Sequence, residues 1–178
     1  MGEPACFNRP IPAEVLIGLG TNLGDRAGNL RRAIAALSRF TSVEAVSRVY
    51  ETEPVGFRNQ PDYWNMVVRV RTELEPQPLF EALKAIEHQL GRPAAFRNAP
   101  RVIDLDIIAY DQLILRSESI EIPHARMHER SFVLYPLAEV APDFRHPATA
   151  QSIGQLIAAL AEPTRAVALE NALVETQQ

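Results

Sequence analysis

Cysteine is scarce in this sequence: among 178 residues there is one, Cys6. A single cysteine cannot form an intramolecular disulfide, which excludes a small disulfide-stapled fold and fits a reducing compartment. Because Cys6 lies in an N-terminal segment that we expect to be flexible, we do not expect a catalytic thiol.

Long apolar runs and targeting signals are also lacking. The longest runs, VLIGLG and LIAALA, are far shorter than the roughly 20 residues that cross a bilayer, and MGEPACFNRPIPAE has neither the basic nor the apolar region of a secretory signal. With 47% apolar and 22% charged residues, the chain is expected to be one cytoplasmic globular domain that binds no membrane. The expected division is a flexible segment over 1–13, a single domain over 14–161 and a C-terminal tail over 162–178.

Positive charge is in the minority, since the formal net charge is −4. The protein as a whole is therefore not expected to bind nucleic acid or anionic membranes. Two segments nevertheless concentrate basic residues. No acid separates Glu87 from Asp104, where Arg92, Arg97 and Arg101 lie, and a second cluster holds one acid, Glu129, among His124, Arg126, His128 and Arg130. Two basic segments on an acidic protein predict a local anionic ligand.

The hydrophobic periodicity predicts an alternation of strands and helices. In order, the predicted elements are a strand over 14–20, a helix to about 39, the strand SVEAVSRVY, a long loop over 51–62, the strand YWNMVVRVRT, a helix from Pro76 that Gly91 ends, a basic loop over 92–101, the strand VIDLDIIAY, a hairpin, short helical turns within 124–142 and the helix IGQLIAAL. This order predicts an α+β fold, the ferredoxin-like β-α-β-β-α-β sandwich, with helices on one face of an antiparallel sheet and a C-terminal extension.

The strand VIDLDIIAY contains two aspartates, which strands generally avoid. Alternation puts Ile103, Leu105, Ile107 and Ala109 on one face and leaves Asp104 and Asp106 together on the other, roughly 6.5 to 7 Å apart. One interpretation is a solvated pair held by arginines, because ion-pair networks are common. The other is a magnesium site, since Mg²⁺ usually joins one or two carboxylates to substrate phosphates.

The strand YWNMVVRVRT shows a similar division between its two faces. Trp64, Met66, Val68 and Val70 share one face, whereas Tyr63 and Asn65 lie on the other, where they form either an ordinary surface or a platform for a flat heterocycle. The segment GLGTNLGD lacks the spacing of nucleotide-binding glycine loops, so its glycines are predicted to form the strand-to-helix turn.

Six segments resemble, in order and spacing, the 6-hydroxymethyl-7,8-dihydropterin pyrophosphokinase family of folate biosynthesis. They are GLGTNLGDR, YETEPVG with NQPDYWN, IEHQLGR, PRVIDLDI, IPHARMHER and FVLYPLAEVAP, and the resemblance as a whole covers roughly residues 14 to 147. The resemblance implies a ferredoxin-like fold and transfer of diphosphate from ATP to the hydroxymethyl group of the pterin, giving AMP, with two Mg²⁺ ions. It implies small-molecule partners only, and we expect a monomer, with a homodimer as the alternative.

The resemblance also implies roles for individual residues. Asp104 and Asp106 match the metal ligands and, with Arg92 and Arg101, the catalytic set. The pterin-binding positions are Thr52, Val55, Tyr63, Asn65 and Phe132. The ATP-binding positions are Glu87, Arg92, Arg101, Ile107, His124 and Arg130.

The sequence departs from the family's pattern at Ala94, Asn98 and Ala125. Family members often carry an arginine, a tryptophan and a bulkier residue there, so we expect an effect on rate and on loop closure, which Arg97 and Phe96 can offset. The predicted mechanism is in-line attack by the pterin hydroxyl on the β-phosphorus of ATP, with no residue standing out as a general base. Three alternatives stay open: a metal-dependent nucleotidyltransferase, a non-catalytic ferredoxin-like binding module and a paralogue that binds a related pterin without turnover.

Overall fold

The computed structural model describes residues 12–54, 59–91, 100–161 and 165–173. The eight strands described there are β1 (Ala13–Thr21), β2 (Ser42–Val46), β3 (Val49–Thr52), β4 (Tyr63–Thr72), β5 (Asp104–Tyr110), β6 (Leu115–Arg116), β7 (Glu121–Ile122) and β8 (Ala166–Leu169). The α-helices are α1 (Arg26–Leu37), α2 (Pro76–Gln89), α3 (Ser131–Val140) and α4 (Ile153–Ala158), and a short 3₁₀ helix spans Met127–Glu129. None of these helices has the length and hydropathy that a bilayer crossing requires.

The main sheet is antiparallel and runs in the order β5, β1, β4, β3, β8, while β2 pairs with β4 beside β3. The predicted strand SVEAVSRVY is therefore two strands. They are separated at Ser47, whose hydroxyl accepts from the Val67 N–H (3.0 Å) while its own N–H donates to the Val67 carbonyl (3.0 Å). Taken together, β2 and β3 occupy one strand position, so the predicted α+β plan of β-α-β-β-α-β is confirmed.

The first face of the sheet is the one covered by α1 and α2. Odd-numbered residues of β1 and even-numbered residues of β4 meet Leu30 and Leu37 of α1 and Leu79 and Leu83 of α2, all of them buried. Trp64 packs at the margin of this core. The predicted alternation of YWNMVVRVRT is thus confirmed, because its even-numbered side chains enter this core.

The second face of the sheet carries α3 and α4, which belong to the predicted C-terminal extension, while the two helices of the β-α-β-β-α-β plan share the first face as predicted. Val133, Leu134 and Leu137 of α3 pack against Leu16 and Val67 of the sheet, and α4 adds Ile153 and Leu156 to the same cluster. The predicted helical turns within 124–142 are a ten-residue helix that contains Pro136. Proline usually interrupts a helix, so the periodicity there gave no continuous signal.

A β-bulge in β5 corrects the predicted alternation of VIDLDIIAY. Leu16 pairs with Ala109 and Ile17 pairs with Ile107, so Ile108 has no partner on β1. An inserted residue reverses the alternation beyond it. Ala109 therefore joins Ile108 in the second-face core, whereas Leu105 and Ile107 remain in the first-face core as predicted.

The outer edge of β5 is closed by side chains from α2. Glu87 accepts from the Leu105 N–H (2.7 Å), and the Lys84 ammonium donates to the Leu105 carbonyl (2.9 Å) and to the Glu87 carboxylate (2.7 Å). These contacts satisfy backbone groups that an edge strand otherwise leaves to solvent.

The C-terminal region contributes a strand, which corrects the prediction of a tail from residue 162. Ala166–Leu169 form β8 and pair with Val49–Thr52 of β3. Just beyond β8, Glu170 forms an ion pair with Arg48, which also binds Glu139 of α3. The segment AVAL is short and has no polar alternation, so the sequence carries little sign of this strand.

Candidate active site

A cleft of about 240 Å³ lies on the second face of the sheet, next to the N-terminal end of α3. The same face carries an apolar cluster under α3 and α4, whereas the cleft is lined by polar and apolar residues together. Eight of the residues predicted for the site line this cleft: Thr52, Tyr63, Asn65, Arg101, Asp104, Asp106, Arg130 and Phe132.

The floor of the cleft is formed by two glycines of β1. Gly20 pairs with Asn65 of β4 on one side and with Asp104 of β5 on the other, and Gly18 pairs with Asp106. A Cβ on Gly20 would lie 3.0 Å from the Asn65 side-chain oxygen, so a side chain here would press on that amide. The prediction that these glycines form the turn is wrong for both, because they lie within β1.

The spacing of the strands separates two polar sides of the cleft. Asn65 and Asp104 occupy one row across three neighbouring strands with Gly20 between them, which puts their backbones about 10 Å apart. A small substrate group that lies over Gly20 therefore has an amide on one side and a carboxylate on the other.

The carboxylate side consists of Asp104 and Asp106, neighbours on the second face of β5. Arg101 forms an ion pair with Asp104, and the Lys84 ammonium lies 3.8 Å from the nearer Asp106 oxygen. Their side chains are 22% and 40% exposed, respectively. Both carboxylates thus have a cation nearby and remain open to the cleft.

This pair fits a magnesium ion that is completed by substrate. Among the described residues, no third histidine, cysteine, aspartate or glutamate joins them in a group that could hold a metal by itself. Magnesium commonly takes one or two carboxylates, keeps several waters and binds substrate phosphates for the remainder. Two adjacent, accessible carboxylates beside arginines match that donor set.

The cationic side of the cleft comes from the segment before α3. The Arg130 guanidinium lies 5.5 Å from the centre of the Phe132 ring, and Arg126 donates to Glu129 (2.9 Å) at the rim. Burial lowers the pKa of Arg130, and the nearby Arg126 lowers it further, while Asp106 and Asp104 raise it. Arginine remains protonated in such surroundings, so Arg130 presents a partly desolvated cation.

The cleft is also lined by an amide, a hydroxyl and two aromatic rings. The Asn65 amide donates to the Thr52 hydroxyl (2.6 Å), and both residues are buried. Tyr63 and Phe132 line the same cleft from β4 and α3. A fixed amide with aromatic neighbours suits a flat, hydrogen-bonding heterocycle.

Three predicted ATP-binding residues do not line the cleft. Glu87 is 3% exposed at the outer edge of β5, where burial is the main factor that raises its pKa. Ile107 belongs to the first-face core. His124 lines a different hollow with His128 and His146, and burial lowers its pKa against the opposing effect of Asp106. Their roles toward ATP stay predictions.

Several predicted residues lie outside the described part of the chain. These are Val55 of the pterin set, Arg92 of the ATP and catalytic sets, and the loop residues Ala94, Phe96, Arg97 and Asn98. Ala125 is described and lines the hollow that contains His124.

Two cations, one beside Asp106 and one in the lining of the cleft, were not assigned to the site from the sequence. Lys84 reaches Asp106 from α2, and its position one turn before Glu87 is the signal that could have found it. Arg126 lines the cleft and belongs to the basic cluster that the charge pattern identified. The sequence alone did not show that Arg126 lines the cleft whereas His128, in the same basic cluster, does not.

The antiparallel α+β sheet and the cleft, in which adjacent carboxylates lie beside arginines, define a class of protein: a ferredoxin-like domain with a ligand-sized cleft on one face of its sheet. The family model for 7,8-dihydro-6-hydroxymethylpterin-pyrophosphokinase (HPPK) matches residues 16–142. The chain belongs to this family.

Curated relatives extend over most of the chain. It is 42% identical over 141 residues to the 2-amino-4-hydroxy-6-hydroxymethyldihydropteridine pyrophosphokinase of Bacillus subtilis, covering 78% of this chain and 84% of that one. The protein of the same name from Aquifex aeolicus is 39% identical, covering 76% and 84%. The folic acid synthesis protein FOL1 of Dictyostelium discoideum is 42% identical over 75% of this chain, which spans 20% of that longer protein.

Solved structures support the fold. The crystal structure of Plasmodium falciparum HPPK-DHPS, wild type with pterin and p-hydroxybenzoate, matches with a TM-score of 0.66 at 15% identity, covering 84% of this chain and 42% of that one. An HPPK-DHPS structure in complex with substrates gives the same TM-score at 14% identity, covering 83% and 43%. At this identity the likeness establishes the fold alone.

Proposed function

We propose that this chain transfers diphosphate from ATP to the hydroxymethyl group of 6-hydroxymethyl-7,8-dihydropterin in folate biosynthesis, giving AMP and the pterin diphosphate. One observation carries the proposal: the row of Asn65, Gly20 and Asp104 across three strands of the cleft floor. The row brings an amide suited to a pterin and a carboxylate suited to metal-bound phosphate to opposite sides of one gap. Membership of the pyrophosphokinase family supports the same activity.

On the amide side, the pterin ring lies between Tyr63 and Phe132 and hydrogen-bonds to Asn65 and Thr52. The bond from Asn65 to Thr52 fixes the amide before substrate arrives, so less side-chain entropy is lost on binding. Because Gly20 has no side chain, the hydroxymethyl group can extend over it toward Asp104. Val55 is a further pterin-binding residue in this proposal.

On the carboxylate side, Asp104 and Asp106 would hold Mg²⁺ together with the phosphates of ATP. The bound metal would neutralise phosphate charge and favour ionisation of the attacking hydroxyl. We propose two ions, because the diphosphate that moves and the phosphate that remains each carry charge. Arg101, which pairs with Asp104, keeps the two carboxylates from repelling each other before metal binds.

The remaining ATP-binding side chains of this proposal contact the phosphates directly. Arg130 is partly desolvated beside Phe132, and Arg92 and His124 complete the proposed set. Desolvated arginine forms strong, directional bonds to phosphate oxygens. Such chemistry depends on alignment of the hydroxyl with the β-phosphorus and on charge stabilisation, more than on a protein base.

The test is to incubate the purified protein with ATP, magnesium and 6-hydroxymethyl-7,8-dihydropterin and to separate the products by chromatography. We expect AMP and pterin diphosphate in equal amounts, and neither in blanks that lack the pterin or contain EDTA. No AMP above the pterin-free blank would reject the proposal. Pyrophosphate in place of AMP would indicate the nucleotidyltransferase alternative, and saturable pterin binding without AMP would indicate the non-catalytic paralogue.

We further propose a monomer in the cytoplasm. The single cysteine is compatible with a reducing compartment, and the proposed site is built from one chain. Sedimentation at micromolar concentration should give the mass of one chain, 19.8 kDa. A mass near twice that value would favour the homodimer.

A further inference from the structure

Asn22 lies in the turn between β1 and α1, outside the set of residues that line the cleft. It is 2% exposed, so its amide is almost fully removed from water. Its side-chain nitrogen donates to the Gln60 side-chain oxygen (2.9 Å) and to the Pro61 carbonyl (3.0 Å). Its side-chain oxygen accepts from the Arg101 N–H (2.7 Å).

These partners belong to the two segments that lead into the two sides of the cleft. Gln60 and Pro61 come just before Tyr63, the first residue of β4. Arg101 comes just before β5 and pairs with Asp104. The Asn22 side chain is therefore a direct hydrogen-bonded link between the end of the pterin-side loop and the start of the carboxylate strand.

The backbone of the same turn strengthens the link to Arg101. The Asn22 N–H donates to the Arg101 carbonyl (3.0 Å), and the neighbouring Thr21 hydroxyl donates to the Val102 carbonyl (2.6 Å). Both amide hydrogens and the amide oxygen of Asn22 have partners. Rotating the amide by 180° would bring its NH₂ against the Arg101 N–H and its oxygen against the Pro61 carbonyl, so the orientation is fixed.

We propose that Asn22 is a positioning residue that sets the distance between the pterin side and the phosphate side of the cleft. The inference rests on the proposed function, in which a hydroxyl held by one side attacks a phosphorus held by the other. Displacement of reacting groups by about 1 Å can lower a rate about 100-fold. A rigid link between the two segments that carry those groups therefore acts on the rate without touching either substrate.

Asn29 provides the matched control. It is a second buried asparagine, 3% exposed, with a comparable set of bonds: it donates to the Thr21 hydroxyl (3.2 Å) and the Leu23 carbonyl (2.8 Å) and accepts from Arg32 (2.6 Å). These partners lie at the last residue of β1, in the turn and on α1. Asn29→Ala thus reports the cost of losing a buried amide in this region without loss of the link between the two sides.

The first experiment compares steady-state kinetics of Asn22→Ala and Asn29→Ala at a temperature at which both are folded. We expect Asn22→Ala to lower kcat/KM about 100-fold, mostly through kcat, and Asn29→Ala to change it by less than about threefold while lowering Tm. Equal kinetic effects in the two variants would overturn the inference, because the loss would then be that of any buried amide.

A milder variant keeps the test valid if Asn22→Ala does not fold. Gln60→Ala, at a half-buried position, removes two bonds on the pterin side, the one from Asn22 (2.9 Å) and a longer one from the Tyr63 hydroxyl (3.4 Å), and leaves the bond to Arg101 intact. We expect KM for the pterin to rise about three- to tenfold through the loss of these bonds, with KM for ATP unchanged. An equal rise in both KM values, or none in either, would contradict the role assigned to this link.

Amide hydrogen exchange without substrates separates this inference from the proposed function. Asn22→Ala should speed exchange of the Arg101 N–H about tenfold or more, since a buried acceptor is lost, whereas Asn29→Ala should not. Unchanged exchange at Arg101 in Asn22→Ala would overturn the inference even if the wild type makes AMP. Absence of AMP from the wild type, with faster exchange in the variant, would instead reject the proposed activity and leave the link standing.

Discussion

The two faces of the sheet share the strands β1, β4 and β5, yet they form different surfaces. On the first face, the odd-numbered residues of β1 from Val15 to Leu19 are buried and apolar beneath α1 and α2. On the second face, Leu16 and Val67 are apolar beneath α3, and the positions beyond them are Gly18, Gly20 and Asn65. The second face thus changes from a core to a cleft along a single strand.

The difference shows how a strand can serve stability and chemistry together. Successive side chains of a strand point to opposite faces, so Asp104 and Asp106 cost little on the second face while Leu105 and Ile107 between and beyond them fill the first-face core. The partial cover by α3 leaves one end of the second face open. Substitutions should therefore separate into those that change the rate and those that change stability, according to face.

The largest effect on rate is expected for Asp106→Ala. Loss of a group that stabilises charge in the transition state typically lowers kcat by about 100- to 1000-fold. Thermal stability should stay equal or rise slightly, because one of two neighbouring carboxylates is removed. Assays of AMP formation and a thermal melt measure the two quantities.

Asp111→Asn is the matched control for that variant. Asp111 lies just beyond the other end of β5, and its carboxylate accepts from the Glu14 N–H (2.9 Å), away from the cleft. Turnover close to that of the wild type is expected. A large loss of stability in Asp106→Ala with kcat retained would mean that the pair is a structural ion-pair network.

The largest effect on stability is expected for Leu83→Ala on the first face. Leu83 is 0% exposed in the core between α2 and the sheet, and truncation of a buried leucine costs about 2 to 5 kcal/mol of unfolding free energy. At temperatures at which the variant is folded, kcat/KM should stay within about twofold of the wild type, since no cleft residue is changed. Denaturant titration and kinetics on the same preparation test this.

Val133→Ala on the second face sharpens the contrast. Val133 packs in the second-face core and also lines the cleft. Removing two methyl groups should cost about 1.5 kcal/mol of stability, less than Leu83→Ala, and should also raise KM. If Leu83→Ala changes KM as much as Val133→Ala does, the two faces are not functionally separate.

The stability of the fold should depend on pH through His124. This residue lies against β5, where its backbone N–H donates to the Ile108 carbonyl (2.9 Å). Burial lowers its pKa in the folded state, so the unfolded chain binds the proton more readily. Its contribution to stability is present above the ordinary pKa of about 6.5 and is lost as the pH falls through that value toward the lower folded pKa. His146 changes stability in the same direction, since burial lowers its pKa too.

The unfolding free energy of His124→Asn should therefore fall less steeply than that of the wild type as the pH is lowered below about 6.5. The part of the decrease that is due to His146 should remain. Asparagine can still accept the Arg126 N–H that the imidazole Nδ1 accepts at 3.1 Å. His88→Asn, at an exposed position on α2, serves as the control for the replacement of one imidazole by an amide. A steeper decline in His124→Asn would contradict the direction of the pKa shift.

The smallest effect is expected for Arg126→Ala at the rim of the cleft. Arg126 is about half exposed and pairs with Glu129, and exposed charge pairs contribute little, so KM for ATP should rise by no more than about fivefold. Arg116→Ala is the control, because Arg116 forms an equivalent pair with Glu121 on the hairpin of β6 and β7, outside the cleft. An equal change of KM in both variants would show that Arg126 acts only through net charge.

The sequence predicted best where the alternation is long and regular. YWNMVVRVRT predicts β4 from Tyr63 to Thr72 without error, and Pro76 begins α2 as expected for a first helical turn. The clean division of polar and apolar positions in these strands also predicted which side chains share the cleft face. Tyr63, Asn65, Asp104 and Asp106 are brought together there, and their roles stay predictions.

The errors have physical causes in particular segments. Both faces of β5 are buried near Ile108 and Ala109, and both residues are apolar. The bulge at Ile108 therefore does not change the sequence of polar and apolar residues, and the alternation could not reveal it. Pro136 interrupts the helical signal of α3 although the helix continues through it. Asn22 looks like an ordinary turn residue, because its partners lie 38 and 79 positions away in the chain.

The closed edge of β5 has a consequence for self-association. Edge strands with free backbone groups invite another chain to add to the sheet, which leads to aggregates. At Leu105 both backbone groups are already bound by Glu87 and Lys84, so an incoming strand would first have to displace a carboxylate and an ammonium ion. The strand that carries the two aspartates is thereby kept out of intermolecular sheets, and growth of the sheet by strand addition is directed to the opposite edge.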